Sequence, residues 1–336
     1  MSAAPLLSVR GLHVTFGCSP GTVRAVTDVS FDLGRGERLA IVGESGSGKS
    51  VMSMALMRLI ARGGEITSGS AVLDGRDVLA MSNADLRAVR GGEIGFVFQD
   101  PSTSLNPVMS ISDQLTRPMR QHLGLNAAAA RVRGIELLAR TGIPDPTRTI
   151  DAYPHQLSGG MRQRVMIAMA ISCRPALIIA DEPTTALDVT IQAQIVALVR
   201  EISDQQQASV IFVTHDMGLV ARFADRVAVM YAGRIVEIGA VDDLFANPRH
   251  PYTQGLLGSI PSIDGELPER LTQIAGAPPN LATLGPGCPF AERCPAAMAR
   301  CQTVRPSLET VDNGGHAAAC WLNEMANADG EVAYVS

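Results

Sequence analysis

The sequence predicts an α/β fold with a mixed sheet, in which a parallel core is joined to an antiparallel edge sheet near the N-terminus. Two continuous apolar runs, 176–180 and 210–213, have the length of strands buried on both faces of a parallel sheet. The stretch 189–203 between them has helical periodicity, so the three segments form a strand–helix–strand unit. Alternating apolar and polar residues between 7 and 35 predict the antiparallel strands.

The remaining elements follow from local patterns along the chain. The predicted elements are strands at 7–9, 12–16, 25–33, 39–42 and 94–98, and a helix at 51–61. Residues 108–171 have mostly helical spacing, which predicts a helical subdomain over about 100–170. After about residue 246 the chain becomes rich in Pro and Gly, which predicts a boundary near 245.

The composition is that of a folded chain without a nucleic-acid footprint. Of its 336 residues, 46% are hydrophobic and 18% are charged, enough to bury a sizeable core. A net charge of -5 argues against the basic surface that nucleic-acid binding requires. We find neither an apolar run of about 18 residues nor an N-terminal secretory signal, so we expect a cytosolic chain, which protein partners must hold if it acts at a membrane.

A glycine-rich loop between a predicted strand and helix indicates a phosphate-binding site. Its residues, which match the P-loop pattern, are Gly43, Glu44, Ser45, Gly46, Ser47, Gly48, Lys49 and Ser50. Glycines let successive backbone N–H groups face phosphate oxygens, and the helix N-terminus adds partial positive charge. Lys49, the only lysine among 28 Lys and Arg residues, is predicted to contact the β- and γ-phosphates of ATP, and the Ser50 hydroxyl to bind Mg²⁺.

Two adjacent carboxylates follow the apolar run that ends at Ala180. Asp181 is suited to hold Mg²⁺ near the phosphates. Glu182 is one residue further along, so its side chain points differently, and we expect it to position and activate the attacking water. Beside a P-loop, this pair indicates nucleotide hydrolysis rather than a solvated strand end.

A second anion site is predicted where Ser158, Gly159 and Gly160 open a helix. The first N–H groups of a helix have no intrahelical partner and are suited to bind phosphate. This chain has two phosphate sites but a single pair of nucleotide-binding motifs. The second site is therefore predicted to serve a nucleotide that is bound to another subunit.

Together these motifs resemble those of ABC-transporter ATPase subunits over residues 7–260. The matching residues are the signature string 157–161 with Met161 where many members have Gln, the Q-loop residue Gln99, the D-loop string 186–188, the switch residue His215, and Phe16 at the adenine-stacking position. The resemblance implies a head-to-tail pair of ATPase subunits that binds two ATP molecules. The implied ligands of Mg²⁺ are Ser50, Gln99 and Asp181. The implied catalytic residues are Glu182, His215 and Gln99. The implied nucleotide contacts outside the P-loop are Phe16, Ser158, Gly159, Gly160 and Asp188.

Longer strings narrow the resemblance to the dipeptide/oligopeptide importer branch. They lie at 98–107, 153–161 and 247–253, and the last opens a C-terminal region that most ABC ATPases lack. We therefore expect an ATPase domain over 1–245 and a C-terminal region over 246–336. The resemblance implies a second, often different, ATPase subunit, two transmembrane permease subunits and an extracytoplasmic peptide-binding protein. It places the chain peripherally at the cytoplasmic face of the inner membrane.

Four of the six cysteines cluster in the C-terminal region, as a predicted module over 288–320. They are Cys288, Cys294, Cys301 and Cys320. Disulfides are unusual in the cytosol, so the cluster favours thiolate ligation of a metal. The spacing lacks the close pairs typical of zinc sites, and proline follows the first two cysteines, so we expect one [4Fe–4S] cluster with a structural role. A zinc site and the absence of metal stay open as alternatives.

Three other functions agree less well with the sequence. Soluble ABC ATPases of DNA repair or translation usually carry a long coiled-coil insert or two cassettes, and this sequence has neither. A redox-sensing regulator leaves the intact hydrolytic motifs unexplained, and a P-loop kinase does not account for 157–161. Within the importer branch, dipeptides, longer peptides, nickel chelates and glutathione all stay open as substrates, because an ATPase subunit does not touch the transported molecule.

Overall fold

The computed structural model describes residues 4–18, 21–185, 188–260, 274–312 and 314–324. These residues form two compact units, each assembled from separate parts of the chain. Unit 1 contains the described residues up to Leu7 together with Asp32–Arg38 and Val72–Val213. Unit 2 contains Ser8–Phe31, Leu39–Ala71 and the described residues from Thr214 onward.

The strands and helices of the described residues have the following bounds. The strands are β1 Leu7–Cys18, β2 Gly21–Leu33, β3 Arg38–Val42, β4 Gly64–Leu73, β5 Arg76–Asp77, β6 Ile94–Val97, β7 Leu177–Asp181, β8 Ser209–Thr214, β9 Arg226–Tyr231, β10 Arg234–Ala240, β11 Glu309–Thr310 and β12 Ala317–Ala318. The helices are α1 Lys49–Leu56, α2 Asn83–Gly92, α3 Pro101–Ser104, α4 Ile111–His122, α5 Ala127–Arg140, α6 Pro146–Thr149, α7 Gly159–Ala170, α8 Val189–Gln206, α9 Met217–Phe223, α10 Val241–Ala246, α11 Pro251–Gly258 and α12 Ala299–Thr303, with a 3-10 turn at Pro154–Gln156.

Unit 1 has a parallel set of strands in the order β6-β7-β8. Their register pairs Ile94 with Leu177 and Asp181 with Val213. Every residue of these three strands is buried, as expected for parallel strands covered on both faces. The predicted strand–helix–strand unit is therefore confirmed as β7-α8-β8. Helices α3 to α7 occupy the stretch that was predicted to be helical.

Unit 2 contains a mixed set of strands. Strand β3 runs parallel to β9, with Val42 opposite Val229, and β9 continues into an antiparallel pair with β10. The short strand β12 then pairs with β10, with Glu237 opposite Ala318, and β11 pairs with β12. The C-terminal segment therefore extends the sheet. Its Phe290 also packs in one buried apolar cluster with residues of β3, β9 and α11.

Two of the differences between predicted and observed boundaries have a local backbone cause. Segments 7–9 and 12–16, predicted as separate strands, form the single strand β1, in which Gly11 has a left-handed φ of 51° that interrupts the alternation. Helix α1 ends at Leu56 instead of residue 61. Arg58, two residues later, has a left-handed φ of 49° that a helix cannot continue through.

No helix among the described residues combines the length and apolar character needed to cross a membrane.

The buried residue His250 in unit 2 belongs to a hydrogen-bond network around the buried carboxylate of Glu237. The backbone N–H groups of Arg249 and His250 donate to Glu237 at 2.6 and 3.0 Å, and Nε2 of His316 lies 2.7 Å from Glu237 Oε1. Nδ1 of His250 accepts a hydrogen bond from the N–H of Tyr252 at 3.0 Å, which requires that nitrogen to be unprotonated. Burial lowers the pKa of His250 to about 4, although the charge of Glu237 opposes this.

We expect the protein to lose stability as the pH falls from about 6.5 towards 4. The pKa of His250 in the folded chain lies below its ordinary value of 6.5, so the unfolded chain binds more protons within that interval. The stabilisation is complete above pH 6.5, and the interval corresponds to about 3 kcal/mol of unfolding free energy. Chemical unfolding measured between pH 7 and pH 4 tests this. His250→Asn keeps a side-chain acceptor for α11 but does not titrate, so its stability should fall less with pH. An equal fall in both proteins would contradict the assignment.

Candidate nucleotide-binding site

The phosphate-binding loop lies between β3 and α1, as predicted, and its glycines are required by close backbone packing. Gly43 has a φ of 153°, and a Cβ there would lie 2.2 Å from the carbonyl oxygen of Met230. Gly48 has a φ of 99°, and a Cβ would lie 2.4 Å from the carbonyl oxygen of Ala25. A side chain at either position would displace the loop from the strands that support it.

Lys49 brings the positive charge of its ammonium group to this loop. The side chain is buried, with 4% of the residue exposed, and Nζ donates to the carbonyl oxygens of Gly43 at 2.7 Å and Glu44 at 3.0 Å. Ser45 and Gly46 lie exposed at the tip of the loop. Gly48 caps α1 without a side-chain hydrogen bond, so the first N–H groups of the helix are not covered by a capping side chain. This arrangement suits an anion.

In unit 1 the carboxylates follow the end of β7, as predicted. Asp181 is the last residue of the strand and is buried. Glu182 has a left-handed φ of 44°, a strained conformation for a residue with a side chain, and such strain concentrates at functional sites. Its Oε2 accepts hydrogen bonds from Nε2 of Gln99 at 3.1 Å and from the Thr185 hydroxyl at 2.9 Å. The structure therefore joins Gln99 to Glu182, and it adds Thr185, which sequence reasoning missed.

The predicted second anion site is also the N-terminus of a helix in the structure. Ser158 caps α7, and its hydroxyl accepts the N–H of Met161 at 3.3 Å. Ser158 and Gly159 are exposed, and Gly160 is half-buried. A Cβ at Gly159 would meet nothing within 4 Å, which leaves room in front of the helix N-terminus. The geometry agrees with a phosphate site that faces outward from this chain.

The other predicted contacts occupy strand and helix ends. Asp188 is exposed and caps α8 by accepting the N–H of Ile191 at 2.9 Å, which gives it a structural role beside the predicted one. The two residues before it in the predicted D-loop lie outside the described residues. His215 directly follows β8 and is exposed, and Phe16 lies half-buried on β1. Their roles at the nucleotide stay predictions.

The four C-terminal cysteines are free thiols in unit 2. Burial raises the pKa of the Cys288 thiol, and charge on Cys301 or Cys294 raises it further. Burial likewise raises the pKa of Cys320 to about 12, with additional influence from each of the other three thiols. Within the described part of the chain, however, no group of three or more His, Cys, Asp or Glu side chains is arranged to hold a metal ion. This finding does not support the predicted cluster.

The fold and these motifs define a P-loop nucleotide-binding ATPase. Residues 26–185 match the ABC transporter family, and residues 236–301 match the C-terminal region of oligopeptide/dipeptide transporters. A dipeptide transport ATP-binding protein of Bacillus subtilis (strain 168) is 50% identical over 95% of this chain and 95% of that protein. An oligopeptide transport ATP-binding protein of Haemophilus influenzae is 48% identical over 95% of this chain and 98% of that protein.

Solved structures agree with these sequence relatives. The dimeric ATP-binding cassette MJ0796, in a post-hydrolysis state bound to ADP and Pi, superposes with a TM-score of 0.64 at 27% identity, over 70% of this chain and 98% of that one. The chain therefore belongs to the ABC transporter family of ATPases, and the predicted family and α/β cassette fold are confirmed, whereas the predicted four-cysteine module stays a prediction.

Proposed function

We propose that this chain hydrolyses ATP to energise the import of dipeptides or oligopeptides through an ABC transporter. The observation that carries the proposal is the match of residues 236–301 to the C-terminal region of oligopeptide/dipeptide transporters, which lies beyond the ATPase cassette. Relatives that are 50% and 48% identical over 95% of the chain are named for dipeptide and oligopeptide transport. We keep the predicted boundary near residue 245 as part of this proposal.

In this proposal the loop 43–50 binds the phosphates of ATP, with Lys49 neutralising part of their charge. Ser50, Gln99 and Asp181 would hold Mg²⁺, which would offset the negative charge of the phosphates. Glu182 orients and activates the attacking water, assisted by His215. The hydrogen bonds from Gln99 and Thr185 both end on Oε2 of Glu182, so they fix the orientation of this carboxylate. Phe16 stacks on the adenine, and Asp188 lies beside the nucleotide.

The catalytic site is completed by a second ATPase subunit. The exposed N-terminus of α7 at Ser158, Gly159 and Gly160 contacts the ATP of that partner, and the partner's equivalent residues contact the ATP of this chain. The dimeric state of the similar cassette MJ0796 supports such a pair. Two permease subunits would hold the pair at the cytoplasmic face of the inner membrane, and an extracytoplasmic binding protein would deliver peptide to the permeases from the opposite side.

Reconstitution tests this function directly. The chain, its second ATPase subunit and the two permeases are placed in proteoliposomes with the peptide-binding protein and Mg-ATP. We expect ATP-dependent uptake of labelled dipeptides or oligopeptides, and stimulation of ATP hydrolysis by the loaded binding protein. Uptake of a nickel chelate or of glutathione without peptide uptake would replace the substrate. Hydrolysis that does not respond to any loaded binding protein would contradict a transport function.

We further propose that the four cysteines hold one [4Fe–4S] cluster. The fit rests on their chemistry and placement: all four are unpaired thiols that influence one another. Backbone N–H groups of Phe290, Ala296 and Leu322 donate to three of the sulfurs, contacts that stabilise thiolates. A cluster binds each thiolate at a different iron, so it does not require all four sulfurs around one ion. When bound, it would cross-link a segment that has only short helices and strands.

Metal analysis after anaerobic purification distinguishes the alternatives for this segment. We expect about four iron atoms and four acid-labile sulfides per chain, the composition of one [4Fe–4S] cluster. Stoichiometric zinc without iron would replace the cluster by a zinc site. If neither metal is present and all four thiols react freely in the folded chain, the metal proposal is wrong.

A further inference from the structure

We propose that Arg293 is a positioning residue of the phosphate-binding loop, and that the four-cysteine segment acts through Arg293 on the affinity of the chain for ATP. The inference rests on the proposed function, because it concerns the same phosphate site. It adds an effect on that site to the structural role expected for the cysteine segment.

The guanidinium of Arg293 forms an ion pair with the carboxylate of Glu44, the second residue of the phosphate-binding loop. Nη1 donates to Glu44 Oε2 at 2.6 Å and Nη2 to Glu44 Oε1 at 2.9 Å, the two-pronged geometry that suits a guanidinium and a carboxylate. Nε donates to the carbonyl oxygen of Ala275 at 2.9 Å, and the guanidinium lies over the rings of Tyr231 and Phe290. Only 6% of the Arg293 side chain is exposed, so the contact is fixed by its surroundings.

Glu44 connects this contact to Lys49. Its carbonyl oxygen accepts from Lys49 Nζ at 3.0 Å, and its backbone N–H donates to the Tyr252 hydroxyl at 2.8 Å. The backbone and the side chain of Glu44 are therefore both held by residues C-terminal to position 245. A displacement of Arg293 would move the carboxylate and with it the carbonyl that holds Lys49.

The charge of Glu44 makes this contact matter for nucleotide affinity. The carboxylate lies on the loop that is proposed to bind the polyanionic phosphates, and 27% of its side chain is exposed. An unpaired carboxylate at that position would repel phosphate, whereas Arg293 neutralises it. The guanidinium therefore supports ATP binding without touching ATP.

The cysteines fix the position of Arg293. Cys288 and Cys294 flank it in a tight turn, in which the N–H of Arg293 donates to the carbonyl of Phe290 at 3.0 Å. The N–H of Cys288 donates to the carbonyl of Cys301 at 2.8 Å, so a third cysteine also anchors the turn. These bonds join the backbone of the cysteines to the turn that carries Arg293, so we expect a change in how the thiols are held to shift the guanidinium and then Glu44.

Equilibrium titration of the full chain with a non-hydrolysable Mg-ATP analogue tests the first half of the proposal. We expect Arg293→Ala to weaken binding by about 5- to 150-fold, the usual range of coupling between sites. Glu44→Gln, which removes the repelling charge, should recover most of that loss in the double variant. The matched control is Arg131→Ala, because Arg131 also makes a two-pronged contact with a carboxylate, that of Asp151, but lies on helix α5 outside the cysteine segment. Arg293→Lys keeps the charge but loses the bidentate contact, so it should bind the analogue with intermediate affinity. This variant replaces Arg293→Ala in the test if the alanine variant fails to fold.

Unchanged affinity in folded Arg293→Ala or Arg293→Lys would overturn the inference alone, provided that the wild type binds the analogue and Lys49→Ala binds it more weakly. A wild-type chain that fails to bind would overturn the proposed function, and the inference with it. In the assembled transporter, Arg293→Ala should raise KM for ATP more than it lowers kcat, a split that general destabilisation would not produce.

A second titration tests the role of the cysteines. Cys301→Ser combined with Cys320→Ser leaves intact the two cysteines that flank Arg293. We expect this pair of changes to weaken analogue binding in the wild-type background and to have little further effect in the Arg293→Ala background. Equal effects in both backgrounds, or no effect in the wild type, would overturn the transmission through Arg293.

Discussion

Glu182→Gln is expected to lower ATP hydrolysis by the assembled transporter about 10²- to 10⁴-fold while ATP binding is retained. The amide keeps an oxygen that can accept the hydrogen bonds of Gln99 and Thr185, so the local geometry is preserved. What is lost is the negative charge that activates water. Steady-state release of phosphate, with analogue binding measured in parallel, checks both parts.

The control for this change is Glu201→Gln, on helix α8. Glu201 is exposed and pairs with Gln205, away from the carboxylates at the end of β7. It should hydrolyse ATP at the wild-type rate. Normal turnover by Glu182→Gln would contradict the catalytic assignment, because an uncharged amide cannot activate the attacking water as a carboxylate does.

Lys49→Ala is expected to weaken ATP binding to the isolated chain by roughly 10- to 150-fold. A hydrogen bond to a charged group contributes about 1.5–3 kcal/mol, which corresponds to that range of dissociation constants. Lys49 is the only lysine of the chain, and its ammonium is already held at the loop by the carbonyls of Gly43 and Glu44. Affinity equal to the wild type would contradict the assignment of this loop.

Ser158 provides the complementary change, since its phosphate contact is proposed to belong to the partner's ATP. Asp and Asn cap a helix as well as Ser does, so neither Ser158→Asp nor Ser158→Asn should unfold α7. We expect both variants to bind ATP normally as isolated chains. In the paired state only the Asp variant should fail, because its charge repels the partner's phosphates.

The sequence was sufficient where local pattern decides the structure. The apolar runs of β7 and β8 and the helix between them were predicted within a few residues, because buried parallel strands have continuous apolar sequences. Ser158 was predicted to open a helix and does so as its N-cap. The spacing of glycines around Lys49 predicted a loop whose backbone geometry excludes side chains at Gly43 and Gly48.

Non-local contacts could not be predicted in this way. Arg293 and Glu44 are separated by 249 positions, and no periodicity or motif links an arginine beside a cysteine to a phosphate-binding loop. The left-handed backbone of Glu182 was also not predicted, because few residues with side chains adopt it and local sequence does not favour it there. The joining of the C-terminal segment to β10 through Ala317–Ala318 likewise depends on tertiary pairing of a two-residue strand.

The central claim is that ATP is hydrolysed in a site that two ATPase chains complete together. Its most direct test is the native mass of the Glu182→Gln chain, mixed with its second ATPase subunit, in the presence and absence of Mg-ATP. We predict a stable pair that forms only with ATP, contains two trapped nucleotides, and does not form when Ser158→Asp is added to the chain. A chain that stays monomeric with ATP while the wild type hydrolyses ATP at the full transporter rate by itself would contradict the claim.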